Sequence, residues 1–417
     1  MQRRTDRKIA LGGTAVVAVV LPTFMIVLSE TGIGRTTSNN RPQAQTSPSE
    51  SGPNLPSFGP AAQPSESPVT TPTYLPKNRS SSYPFDTEPG PRAPRGDPDD
   101  RKSEHGKKPH LPEGIGKLPT KFHKADDGAK ITAVKRLGKS WLDLSIASPA
   151  LGRVVQTRVI VPKTWSAGAK RSWPVVYAFH GGNSDYQSWT KHSDLAKVAA
   201  GYDLMIVMPE GGRNGSYTNW WNGGRGGIPA WETFHIREVI PLMERNFRAG
   251  STRATIGLSS GAQGAMTYAV RYPTLFKYVA AYSGPLNITA PGMPAVLTQL
   301  NGTTAIWGDP VTDRANWRAH DPTVLVGRLR NVGVYVSSGN GEPGPYDKGG
   351  EPPWSAGRFG EQLTGRMTTN FVAAARREGI RVTANLYGPG MHNWPYWKRE
   401  LRRSWPAVTA AIGVRKP

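Results

Sequence analysis

Three groups of residues have types and spacing suited to nucleophilic chemistry. The first is Gly257-Leu258-Ser259-Ser260-Gly261, which follows the β-branched and aliphatic run Ala254–Leu258 and precedes a helix-forming segment to about Tyr272. A serine on so sharp a strand-to-helix turn takes strained backbone angles, and glycines two residues to either side let other chain segments approach. Its hydroxyl then stands clear of the sheet, at a helix amino end that favours developing negative charge. The second group is Phe179-His180-Gly181-Gly182-Asn183, directly after the apolar run Val175–Phe179. Two glycines there allow the Gly182 N–H to join that of Ser260 in holding an oxyanion, whereas a plain Gly-Gly turn is the structural alternative. The third is Gly390-Met391-His392-Asn393-Trp394, a Gly-rich loop between the last apolar run and the final helical pattern.

A serine nucleophile of this kind needs a base late in the chain, because the usual order in such folds is Ser, acid, His. Of eight histidines, His392 alone follows the last strand pattern; His105, His110 and His123 lie in or near a linker, and His192, His235 and His320 fall elsewhere. A neutral imidazole at His392 would accept the Ser259 proton and return it to the leaving group. His180, Asn183 and Trp394 are the candidate substrate contacts, with His180 at the rim of the site or just behind the residues that line it, rather than as base. The acid is open on the residues alone. Glu342 and Asp347 follow the penultimate strand pattern and Glu361 begins a helix in Gly360-Glu361-Gln362-Leu363. Each of the three is equally readable as a surface carboxylate.

The elements that must position these groups are strand patterns at Trp141–Ala147, Val154–Val161, Val175–Phe179, Leu204–Met208, Ala254–Leu258, Tyr278–Tyr282, Val332–Val336 and Val382–Leu386. Helical patterns lie at Leu195–Ala200, Glu232–Phe247, Ser260–Arg271, Arg358–Glu378 and Pro395–Ile412. The early strands follow one another and the later ones alternate with helices. That order predicts an α/β-hydrolase fold, a mostly parallel sheet with helices on both faces and an antiparallel edge. Each chemical motif falls at the carboxyl end of a strand, where open α/β sheets form their sites.

The chain has 417 residues, more than one compact domain of ordinary size requires. Arg3, Arg4, Arg7 and Lys8 precede an uncharged run, Ile9–Leu28, which as a helix would reach roughly 30 Å and cross the hydrocarbon core. Residues 1–29 thus read as a basic end and a transmembrane anchor, with a cleaved signal peptide as the alternative; both export the remainder of the chain. Residues 30–124 are rich in Pro, Ser, Thr and charge and read as a disordered linker. Its basic end (Arg101, Lys102, Lys107, Lys108, Lys117, Lys121, Lys124) suits anionic cell-wall polymer or a lipid surface, or serves only as a solvated spacer. Residues 125–417 form the folded region. A net charge of +22 raises nucleic acid as a partner, but no nucleic-acid-binding motif accompanies it and none is expected. Without cysteine there are no disulfides, thiolate metal sites or thiol nucleophiles; no metal or cofactor is expected.

Taken as an ordered set, the motifs resemble the mycolyltransferase (antigen 85) family within the esterase D-like α/β hydrolases. The resemblance covers nearly the whole folded region. It rests on Ser148-Pro149-Ala150-Leu151-Gly152-Arg153, Met208-Pro209-Glu210-Gly211-Gly212, Asn219-Trp220-Trp221, Trp231-Glu232-Thr233-Phe234 and Gly257-Leu258-Ser259. Trp307-Gly308-Asp309, Asp321-Pro322-Thr323 and His392-Asn393-Trp394-Pro395-Tyr396-Trp397 complete it. The resemblance implies Ser259 as nucleophile, His392 as base, Glu361 as acid and the amides of Gly182 and Ser260 as oxyanion donors. Mycobacterial members carry Asp-Gly-Leu-Arg where this chain has His180-Gly181-Gly182-Asn183, and Met where it has Ser260. The expected activity is an exported, membrane-anchored or secreted serine esterase or acyltransferase that moves an acyl group from an ester donor to water or to a sugar or lipid hydroxyl. A carbohydrate (acetyl or feruloyl) esterase and an inactive envelope-binding protein are the alternatives. Trp220, Trp221, Trp307, Trp317, Trp394 and Trp397 would stack on sugars, line an acyl groove, or simply pack.

Overall fold

The computed structural model describes residues 115 and 117–416. A nine-stranded sheet runs through them in the order β1-β2-β3-β5-β4-β6-β7-β8-β9. The strands are β1 (Lys130–Arg136), β2 (Trp141–Ser148), β3 (Arg153–Ile160), β4 (Trp173–Phe179), β5 (Met205–Pro209), β6 (Ala249–Leu258), β7 (Tyr278–Tyr282), β8 (Gly333–Ser338) and β9 (Thr383–Leu386). β1, β2, β3 and β5 pair antiparallel, and β5, β4, β6, β7, β8 and β9 pair parallel. This is the α/β-hydrolase-like arrangement, with a mostly parallel sheet.

The central parallel strands β5, β4 and β7 are apolar and buried because both faces are covered. In β4, Val175, Tyr177 and Phe179 enter one core cluster, and Val176 and Ala178 enter the cluster on the opposite face. The same alternation divides β5, β7 and β8, as the two-residue period of a strand requires. Each fully buried aliphatic side chain contributes about 1.5–3 kcal/mol relative to exposure. The helix Ser260–Arg271 packs within the first cluster through Ala262, Ala265, Met266 and Ala269. The C-terminal helix Trp394–Ala411 packs within the second through Trp397, Leu401, Trp405 and Val408.

Besides the helices Ser188–His192, Met293–Asn301 and Arg314–Ala319, which no pattern marked, three features depart from the sequence reading. β1 was not anticipated, because only Ile131 in it is buried and its apolar signal is correspondingly thin. Packing also begins before residue 125: Ile115 is buried in the core, Leu118 and Phe122 lie against it, and His123 exchanges hydrogen bonds with Asn246. The end of the expected linker is therefore part of the domain. Finally, the pattern Glu232–Phe247 forms three consecutive segments, with a π-helical stretch Phe234–Val239 between Trp231–Thr233 and Ile240–Phe247. No helix among the described residues is long and apolar enough to cross a membrane. The expected anchor, Ile9–Leu28, and most of the expected linker lie outside the described residues.

Candidate active site

β6 delivers Ser259 to a turn of φ 53° and ψ −127°, left-handed for a residue with a side chain. One hydrogen bond and two close backbone approaches hold it there. Ser259 N–H donates to Tyr282 O at 2.9 Å, tying the turn to β7. A Cβ at Gly257 would lie 2.1 Å from Gly261 O, and one at Gly261 would lie 2.4 Å from both His180 O and Phe179 O. Only glycine fits at either position. The turn then opens the helix Ser260–Arg271.

His392 follows β9 and precedes the C-terminal helix, its N–H donating to Gly357 O at 2.9 Å. Its Nε2 lies 2.9 Å from Ser259 Oγ, and its Nδ1 lies 2.8 Å from Glu361 Oε2. A carboxylate only accepts, so Nδ1 carries the proton and Nε2 is free to accept from the serine hydroxyl.

Glu361 sits in the helix Ala356–Arg377, not in the loop after β8, and is fully buried. Its carboxylate nevertheless reaches the end of β8. Oε1 accepts from Gly339 N at 2.6 Å, Ser338 Oγ at 2.9 Å, Ser283 Oγ at 2.9 Å and Tyr387 Oη at 3.1 Å. Burial pushes this carboxyl up, but the His392 contact, the Gly339 amide and the Ser283 hydroxyl outweigh it and hold the group below the usual carboxylate range. Glu361 is thus held as the carboxylate beside the imidazole.

Of the three carboxylates left open by the sequence, only Glu361 meets His392. Glu342 pairs with Arg358 at 2.8 Å. Asp347 accepts from Tyr396 Oη, Gly344 N and Asn393 Nδ2, and so anchors the loop carrying His392.

Gly182 and Ser260 are neighbours across the turn: a Cβ at Gly182 would lie 3.7 Å from Ser260 Oγ, and one at Gly181 would lie 3.3 Å from Ser259 Cβ. Among the described residues neither the Gly182 N–H nor the Ser260 N–H donates to a protein acceptor. Asn183 is exposed at φ 54°, its own N–H donating to Arg213 O at 3.0 Å. Trp394 is partly exposed and packs against Trp189, His192 and Trp397, beside the histidine loop.

His180 is a correction. It is 1% exposed, with both ring nitrogens engaged inside the protein, so it does not contact a substrate at the rim. Trp307 and Trp317 are likewise buried against each other, with ring centroids 4.9 Å apart, and serve as core. Trp397 is buried, and its indole N–H donates to Ser283 Oγ at 3.0 Å.

Ser283, Ser338 and Tyr387 escaped the sequence reading. The signal available was a small polar residue directly before glycine at the carboxyl ends of β7 and β8, Ser283-Gly284 and Ser338-Gly339. Two cavities of about 410 and 420 Å³ lie elsewhere, one lined by Val324 and Arg377, the other by Lys135, Arg158 and Tyr186; neither borders Ser259.

Comparisons with known proteins give the chain's relatives. The family model described as "Putative esterase" matches residues 148–407. Ag85C of Mycobacterium avium, a diacylglycerol acyltransferase/mycolyltransferase, is 30% identical over 288 residues, 64% of this chain and 77% of that protein. Ag85B of Mycolicibacterium smegmatis is 29% identical over 289 residues, 65% of this chain and 85% of that protein. The crystal structure of MPT51 from Mycobacterium tuberculosis superposes with a TM-score of 0.53 at 22% identity, over 67% of this chain and 99% of that one, and bears on the fold alone. The chain therefore belongs to the esterase family of α/β hydrolases, alongside the antigen 85 mycolyltransferases, and is an enzyme of ester hydrolysis or acyl transfer.

Proposed function

We propose that this protein is an exported serine acyltransferase or esterase of the mycolyltransferase type, acting on acyl esters of the cell envelope. Ser259 Oγ attacks the ester carbonyl carbon while His392 Nε2 takes the hydroxyl proton. The carbonyl oxygen, now negative, receives hydrogen bonds from the amides of Gly182 and Ser260. Collapse expels the alcohol, which takes the proton from His392, and leaves the acyl group on Ser259. Water or a sugar or lipid hydroxyl then attacks the acyl-enzyme, giving its proton to His392, and Ser259 is restored. Glu361 stays ionised throughout and fixes the imidazole tautomer.

The observation that carries this reading is the pair of contacts at His392, 2.9 Å to Ser259 and 2.8 Å to Glu361. We assign substrate binding to Asn183, exposed beside the oxyanion loop, and Trp394, partly exposed beside the histidine loop. Export is supported by the basic residues Arg3, Arg4, Arg7 and Lys8 before the apolar run Ile9–Leu28. Hydrolysis of p-nitrophenyl esters by the full chain and by Ser259→Ala tests the mechanism, and equal rates would remove the serine from it. Labelling by a fluorophosphonate separates an active enzyme from an inert envelope-binding domain. Product analysis with added sugar and lipid acceptors separates transfer from hydrolysis.

A further inference from the structure

His180 is buried beside the nucleophile but touches neither Ser259 nor His392, and its hydrogen bonds give it another task. Gly211 N–H donates to Nε2 at 2.8 Å, so Nε2 is an acceptor and the ring proton sits on Nδ1. Nδ1–H then donates to Gly181 O at 2.8 Å. That carbonyl shares a peptide unit with the Gly182 N–H. The unit is trans, since the cis bond among the described residues is Ile228–Pro229. In a trans peptide the C=O and N–H point in opposite directions. Drawing the Gly181 carbonyl inward to the buried ring therefore turns the Gly182 N–H outward, on the strand end that faces Ser259 and Ser260.

The rest of the loop is fixed to match. Tyr217 Oη donates to His180 O at 2.7 Å, and Asn183 N–H donates to Arg213 O at 3.0 Å, so the glycine pair is held at both ends. The Gly211 N–H on Nε2 ties the ring to the loop after β5, and Glu210 fixes that loop by accepting from the amides of Tyr186 and Gly212. Without the ring, two adjacent glycines would have many peptide orientations open to them. An amide that must reorient during the reaction stabilises the oxyanion less than one already aimed.

We infer that His180 is a positioning residue that aims the Gly182 N–H at the oxyanion, acting through the Gly181 carbonyl. The inference rests on the reading of Gly182 as an oxyanion donor. It is tested with His180→Phe, which keeps a ring and removes the donor, and His180→Asn, which keeps an N–H at the Nδ1 position. On p-nitrophenyl esters His180→Phe should lower kcat by about a hundredfold, the effect of losing one oxyanion donor, with KM nearly unchanged. Its affinity for a boronic acid that forms a tetrahedral adduct on the serine should fall in parallel, and His180→Asn should recover at least about tenfold of the lost rate. Unchanged kcat in His180→Phe, equal losses in the two variants, or a loss confined to KM would each overturn the inference. A second readout needs no variant: ¹⁵N spectra of histidine-labelled wild-type protein should show His180 protonated on Nδ1, and protonation on Nε2 would equally overturn it. Full activity in Ser259→Ala would mark a different failure, that of the underlying reaction scheme.

Discussion

Glu361 Oε2 accepts the Nδ1 proton of His392 at 2.8 Å, although one residue stands in a helix and the other in a loop, 31 positions apart in the chain. The helix Ala356–Arg377 brings the carboxylate to the end of β8, where Gly339 N–H fixes its other oxygen. The acid thus occupies the place at which a residue of the β8 loop would stand, while being carried by a helix.

Glu361→Gln keeps the shape but replaces Oε2 or Oε1 with an amide that donates. Facing His392, an amide N–H favours the imidazole tautomer with Nδ1 unprotonated, and Nε2 can then no longer accept from Ser259. The expected loss in kcat is about 10³–10⁴-fold with the fold retained, as for other triads given the wrong tautomer. Steady-state kinetics beside a circular dichroism spectrum checks this, and a loss under tenfold would reassign the acid.

Ser283 links the indole of Trp397 to Glu361, and does so from a backbone at φ 50°. Ser283→Ala leaves the buried Trp397 N–H without its acceptor, a cost of about 1–3 kcal/mol. Trp397→Phe removes the donor as well, so the double variant should be less destabilised than the sum of the two single changes. Urea denaturation of the four proteins measures the coupling; strict additivity would show that the two residues act independently.

Gly261→Ala drives a methyl group into the carbonyls of Phe179 and His180, backbone atoms that cannot rotate away. The expected destabilisation is about 3 kcal/mol or more, at the upper end of overpacking costs, together with loss of fluorophosphonate labelling. Gly223, exposed in the single turn Asn222–Gly224, has nothing within 4 Å of where a Cβ would stand. Gly223→Ala therefore controls for glycine loss without collision, with a milder effect on the denaturation midpoint that comes from its φ of 67°.

Burial pushes the Glu238 carboxyl up to about 7; the Ser148 hydroxyl and Ala150 amide oppose this and nearby Asp127 adds to it. The folded protein therefore binds this proton more tightly than the unfolded chain, whose ordinary value is 4.5. The stability so gained is fully present below the unfolded value and is lost as pH rises through the folded one. Glu238→Gln keeps an acceptor for Ala150 N–H and cannot ionise. Between about pH 5 and pH 8 the Tm of the wild type should fall relative to that of Glu238→Gln. A Tm difference that stays flat over that range would exclude Glu238 as the titrating group.

The sequence by itself determined the elements whose cause is local. Both faces of β4 to β8 are covered, so their apolar runs could be read directly, and Gly257 is demanded by the chain's approach to itself within five residues, whereas Gly261 answers to the end of β4. His392 followed from chain order and its Gly-rich loop. What only the tertiary structure decided depends on groups far apart in the chain. Glu361, Glu342 and Asp347 are all carboxylates near one another in sequence, and the helix packing over the end of β8 selects the one that meets His392. His180 borders the glycine pair and could stand at the rim or behind it; the loop after β5 closes over it and leaves its ring nitrogens bonded inward. β1 and the segment from Ile115 carry too few buried side chains to show a period, so their attachment is visible only in the partners they meet.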